Sequence, residues 1–185
     1  NSKLFADFQE TFEEIEDIEG GLGPVFNNTG CATCHSVPIT GGGSEIVETR
    51  AGTYRRGEFT EHPGGSLVHD KAISPDIVEK LIPNEDHTPR ISVSVLGDGF
   101  IEALADTTIF SISNNQPEAV RGTVIQVPVL EAGNALRVGR FGWKNQHASL
   151  ESFAADAYLN EMGITSPLQP IENTSDGRSV AAYDT

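Results

Sequence analysis

The sequence predicts a mainly α-helical domain with long loops and short β-hairpin insertions. Two segments, Leu4 to Ile18 and Leu150 to Met162, place apolar residues three and four apart, the spacing of a one-faced helix. Between them glycine and proline are frequent, 19 and 10 among 185 residues, and only short stretches alternate. The apolar fraction, 37 %, is modest, so a bound apolar group is expected to supply part of the core.

Taken in order, Phe5, Phe8, Phe12 and Ile15 form the first apolar stripe, with acids between them, and Gly20-Gly21 end that helix. Val25 to His35 reads as a loop entering one helical turn. Pro38 and Gly41-Gly42-Gly43 then break regular structure. Residues 44–70 mix polar alternation with glycine and read as short strands or a long excursion. Ile91 to Leu96 alternates like a short strand or a buried turn, and Glu102 to Asp106 reads as one or two helical turns. Thr123 to Val127 and Ala135 to Arg140 read as a β-hairpin around Gly133-Asn134. The second long helix has Ser149 as its N-cap, with Ser152 where a capping-box acid would stand. Leu150, Phe153, Ala154, Ala157 and Tyr158 are its apolar stripe. From Ser166 onward the periodicity is weak and Pro167, Pro170 and Gly177 favour an extended, poorly packed tail. No internal repeat, low-complexity segment or domain boundary is evident.

The chemistry is concentrated in Cys31-Ala32-Thr33-Cys34-His35, which hold the only two cysteines. Cys-x-x-Cys-His is the attachment signal of c-type haem: two thiols form thioethers and the adjacent imidazole binds the iron. A thioredoxin-type dithiol is expected within a βαβ pattern, but this motif follows the glycine-rich run Gly20 to Pro24. A structural zinc site needs two more ligands nearby, and the next histidine is His62. The expectation is one covalent haem c on Cys31, Cys34 and His35.

The iron's other axial position decides the chemistry. A methionine closes the site and raises the potential, as in an electron carrier, whereas an open site admits peroxide. Met162 is the only methionine, placed just before a break at Gly163-Ile164-Thr165 that can turn it inward. It is the expected ligand; the alternatives are His69, His62, His87 and His147, and a core thioether is the plain reading of Met162. Trp143, the only tryptophan, lies in Arg140-Phe141-Gly142-Trp143-Lys144. It reads equally as core packing or as haem-edge packing, with Arg140 or Lys144 binding a propionate.

The formal charge is −15 and no basic stripe exists, which excludes nucleic acid as the expected partner. The acidity reads as a solvated surface or as steering for a basic redox partner. No apolar run reaches transmembrane length. No signal peptide stands at Asn1, read as a mature terminus or a trimmed chain. Because haem c is attached outside the bacterial cytoplasmic membrane, the expected location is periplasmic or extracellular.

The residues also resemble a family. Gly21 to Asn27 followed by Cys31 to Ser36 is similar to the haem-attachment region of bacterial di-haem oxidoreductases, described as peroxidases or thiol oxidoreductases and related to cytochrome c peroxidase-like proteins. Leu96 to Ala103, Gly139 to Lys144 and Glu161 to Thr165 fit in the same order, so the likeness is spread over residues 5–167. It implies a cytochrome c-like helical haem domain over 1–167, with a large insertion at about 37–139 and an extended tail over 168–185. It also strengthens Met162 as distal ligand. The family's second Cys-x-x-Cys-His is absent, so the chain resembles the N-terminal haem domain alone and the two-haem mechanism does not carry over.

Three functions are thus expected in turn. The first is an electron-transfer cytochrome. The second is a peroxidase or thiol oxidoreductase, half of a di-haem enzyme, with Glu102 or His147 as acid/base. The third is a subunit of an electron-conducting assembly, formed by self-association or with a second haem subunit.

Overall fold

The computed structural model describes residues 2–184. Asn1 and Thr185, the ends of the expected domain and tail, lie outside the described residues. The chain forms two compact units, Asn1–Leu96 with Ala157–Thr185 and Gly97–Asp156.

The first unit begins with helix α1 (Ser2–Glu13) and strand β1 (Val25–Phe26), followed by the single turn α2 (Cys31–Cys34). Strands β2 (Val47–Arg55), β3 (Glu58–Glu61), β4 (Leu67–Val68), β5 (Lys71–Ala72) and β6 (Asp86–Ile91) come next. β2 is the spine of a four-stranded antiparallel sheet. One edge takes β3 at residues 52–55 and β4 at 49–50; the other takes β6 at 47–52. β1 pairs separately with β5, Val25 opposite Ala72. The β2–β3 turn is Arg56-Gly57, with φ of 54° and 88°, the two left-handed residues that a tight hairpin with matching twist requires.

Two small apolar clusters fill this unit. Val25, Ile77 and Val180 form one; Leu22, Phe26 and Met162 form the other. The tail has neither helix nor strand, yet it is anchored. Val180 is buried, Ser175 bonds Glu79 through both its N–H and its hydroxyl, and Arg178 donates to the Ile77 carbonyl at 2.6 Å.

The second unit holds α3 (Asp98–Glu102), α4 (Asp106–Asn115), and a hairpin of β7 (Gln126–Val129) with β8 (Ala135–Val138). Gly133 and Asn134, at φ 64° and 65°, make its turn where the sequence places it. Helix α5 (Leu150–Met162) has its first half in this unit and its second half in the other. Its N-cap is Ser149, whose Oγ accepts from Ser152 N at 3.2 Å. Ser152 Oγ replaces the usual acid by donating to Glu131 at 2.6 Å and accepting from Leu130 N at 3.0 Å.

The expectation of a mainly α, cytochrome c-like helical fold is corrected here. The chain is 29 % helix and 21 % strand, with five helices and several small sheets among the described residues, a mixed α/β fold. Two physical causes account for the difference. α1 stops at Glu13 rather than Ile18, because Glu16 N leaves the helix to bond Thr29 O at 2.7 Å. The sheet is built from strands that do not look like strands: β6 is Asp-His-Thr-Pro-Arg-Ile, almost wholly exposed, and contains a proline. Its register with β2 comes from backbone pairing rather than from an alternating apolar face. Among the described residues no helix is long and apolar enough to cross a membrane.

Candidate functional site

The Cys31–His35 turn is held on both sides. Ahead of it, Pro24 and Val25 are fully buried, and Ile73 N bonds Pro24 O at 3.0 Å. Gly30 precedes α2 because a Cβ there would lie 2.4 Å from the Glu14 carbonyl. The turn itself closes with His35 N on Cys31 O at 2.9 Å. Cys31 and Cys34 stand three residues apart on it, unbonded to each other and half-buried. Burial pushes both thiols up; the Asn28 amide, 3.6 Å from the Cys34 sulfur, acts the other way.

Behind the turn, residues 36–43 fold back tightly. Ser36 N and Val37 N both bond Gly43 O, and Gly41 N bonds His35 O at 2.8 Å. Gly42 has no room for a side chain, since a Cβ would sit 2.1 Å from Val37 O. This loop aims the Gly42 carbonyl at His35 Nδ1, 3.1 Å away. A carbonyl only accepts, so the proton is on Nδ1 and the Nε2 lone pair is left as the ligand-competent nitrogen. The Phe12 ring of α1 lies 6.3 Å from the imidazole, tilted by 55°.

Met162 reaches the same place from the far end of the chain. It is 4 % exposed, and Cys31, Ile73, Tyr158 and Ile164 pack on its cluster with Leu22 and Phe26. Backbone bonds zip the segment ahead of Cys31 to the end of α5: Gly23 N to Met162 O at 2.9 Å, and Asn27 N and Asn28 N to Glu161 O at 2.8 and 3.2 Å. Gly163 ends the helix at φ 65°, a glycine stop of the left-handed kind. Gly23 and Gly163 touch backbone to backbone: a Cβ on Gly23 would fall 1.9 Å from Gly163 O.

The electrostatics beside Met162 are unusual. The Glu161 carboxyl is pushed up to about 7 by burial and by Glu48, against the opposing Asn27 hydrogen bond and Arg50. Asn27 Nδ2 donates to it at 2.8 Å, and Arg50 stands 3.6 Å away. Arg50 also pairs with Glu48 at 3.2 Å.

The histidines divide sharply. His69 is 2 % exposed, with Nδ1 3.0 Å from Glu79 Oε2 and Nε2 2.9 Å from Asn160 O. Both ring nitrogens are engaged by oxygen atoms, which leaves neither free to bind a metal. Glu79 is held down at about 2 by the His69 and Ser175 bonds, which outweigh its own burial. His62 Nε2 is taken by Glu85 at 2.6 Å. His87 lies exposed on β6 opposite Ala51. His147 belongs to the second unit, 3.3 Å from Asp156 and stacked on Phe153.

Arg140, Trp143 and Lys144 also belong to the second unit. The Arg140 side chain is 2 % exposed and spent on structure: it donates to Leu104 O at 2.7 Å, Glu102 O at 3.2 Å and Val138 O at 3.1 Å, and it pairs with Asp106. Trp143 is 57 % exposed, and Lys144 N bonds Gln146 at 3.0 Å. Glu102 Oε1 accepts from Leu150 N at 2.7 Å and so caps α5.

Sequence reasoning missed the Gly42 carbonyl. Its only trace was Gly41-Gly42-Gly43, read as a break, and the tight return that these glycines allow is what places it. Among the described residues no three or more of His, Cys, Asp and Glu are grouped to hold a metal ion. Comparisons with family models, curated proteins and solved structures find no match.

Proposed function

We propose that this chain is a c-type cytochrome carrying one covalent haem and passing single electrons between redox partners, in the periplasm or outside the cell. The observation that carries the reading is the pairing of His35 Nδ1 with the Gly42 carbonyl, on a Cys-x-x-Cys-His turn whose Cys31 shares a cluster with Met162. The residues fit the group. Two free thiols stand three apart on one turn, an imidazole is locked with Nε2 free, and a buried thioether comes from a distant helix. A porphyrin brings four iron ligands of its own, so the protein needs to add only His35 and Met162.

The roles follow. Cys31 and Cys34 would tether the haem. His35 would bind the iron, oriented through its carbonyl partner, which raises the basicity of the ligand nitrogen. Met162 would supply a thioether ligand from a buried position that excludes water and small oxidants. The haem, when bound, supplies the one-electron change; the protein sets its potential and access. The likeness to the N-terminal haem domain of di-haem oxidoreductases is part of this proposal. Peroxidase action is disfavoured because Met162 is packed inward and Glu102, an acid/base candidate, is committed to capping α5.

The test is the protein produced with a c-type maturation system. A haem that survives denaturation, one per chain by pyridine haemochrome, and a thioether-to-iron charge-transfer band in the oxidised spectrum are expected. Met162→Ala removes the band. A high-spin oxidised protein that binds cyanide rapidly overturns the electron-carrier reading.

A further inference from the structure

α1 ends against the attachment turn but leaves most of its apolar stripe uncovered. Phe12 meets His35, while Leu4, Phe5 and Phe8, on the same side of the helix, are 55 %, 71 % and 65 % exposed. An aromatic surface of this kind on a soluble domain marks a contact site. Its surroundings select the partner. From Asp7 to Glu19 the chain carries seven acids, with Lys3 the only basic residue in the first nineteen. Ile15 and Ile18, beyond the helix, extend the exposed apolar surface among those acids.

We infer that the Leu4–Phe5–Phe8 face of α1 is the docking surface for a basic redox protein, whose own apolar patch is ringed by lysine or arginine. The inference rests on the electron-carrier reading and deepens it by naming where the partner sits. Two arguments fix the occupant. A second copy of this chain carries the same charge of −15, so two such faces repel one another, whereas a basic protein is drawn in. The stripe also leads through Phe12 to His35, so a partner seated there lies beside the proposed iron ligand. Exposed aromatic anchors supply the affinity and the acids supply the rate of encounter.

The experiment uses the haem-loaded chain and a lysine-rich soluble cytochrome c as probe. Binding is measured by titration calorimetry and electron transfer by stopped flow. A small cationic ruthenium complex, which needs no docking surface, serves as a second acceptor. Phe5→Ser with Phe8→Ser is expected to weaken probe binding at least tenfold and slow transfer to the probe equally. Transfer to the ruthenium complex, haem content and the circular dichroism spectrum should not change. Raising salt should weaken wild-type binding. Equal binding by wild type and variant overturns the inference, as does sedimentation that shows wild type dimerising through this face. Binding lost in the variant while the haem is high-spin and open would spare the docking surface and sink the electron-carrier reading. A variant that loses helicity is replaced by Phe8→Gln alone, read by the same two acceptors.

Discussion

At the scale of single residues, the Gly42 carbonyl is the smallest part with the largest reach. Gly42→Ala would place a methyl 2.1 Å from Val37 O and 2.7 Å from Ile39 O, so the loop must open and the carbonyl must leave Nδ1. If the chain carries haem c as proposed, a weaker partner makes the imidazole a poorer donor, and the midpoint potential should rise by spectroelectrochemistry while the haem stays attached. His69 and Glu79 form the other critical pair. Glu79→Ala leaves the buried His69 ring and the Ser175 hydroxyl without their shared partner, a loss of about 1–3 kcal/mol that urea unfolding should reveal. The pair also sets a pH dependence. Glu79 is depressed from 4.5 to about 2, so its contribution is complete above pH 4.5 and is lost as pH falls from there toward 2. A Glu79→Gln variant should lose most of this acid-side slope. Residue chemistry was the most legible level: Cys31, Cys34, His35 and Met162 stand out by type and spacing alone. The histidine alternatives were not separable, because whether a ring nitrogen is already occupied depends on partners such as Asn160 O, 91 positions away.

At the scale of elements, both ends of α5 are specified by contacts distant in sequence. Its start depends on Ser152, which touches Ser149, Glu131 and Leu130 N and is fully buried. Ser152→Ala should cost about 1–3 kcal/mol, because Glu131 and Leu130 N lose a buried partner; thermal unfolding measures it. Its end depends on Gly163, at φ 65° and with Val25 O 2.6 Å from any added Cβ. Gly163→Ala combines left-handed strain of about 1–2 kcal/mol with that collision. The expected outcome is lower stability and, in the haem-loaded chain of the proposed reading, loss or weakening of the thioether band. Helix α5 and the β7–β8 hairpin were readable because periodicity and Gly133-Asn134 act locally. The β2 sheet was legible only in part: residues 44–70 read as short strands or a long excursion, but Arg56-Gly57 is a poor advertisement for a hairpin and β6 carries Pro89 in place of an apolar face. Those strands are held by backbone pairing to β2, a property absent from side-chain pattern.

At the scale of the whole molecule, charge and architecture separate two responses to salt. With −15 spread over 185 residues, self-repulsion opposes the compact state, so added salt should raise the denaturation midpoint. Under the proposed function, the same salt should slow electron transfer to a basic partner. Opposite signs in one titration distinguish stability from steering. The division into Asn1–Leu96 with Ala157–Thr185 and Gly97–Asp156 left no mark in composition, because the second unit is an excursion within the first rather than a segment set off by a linker.

The cluster that joins Cys31 to Met162 also orders events in time. The two share it yet lie 131 positions apart. A chain made from its N-terminus presents the locally bonded Cys31–His35 turn long before α5 exists. If the chain carries haem c as proposed, Cys31 and Cys34 would be open to it before Met162 arrives. A chain that stops before α5 should then still retain haem covalently while lacking the ligand that Met162 would supply.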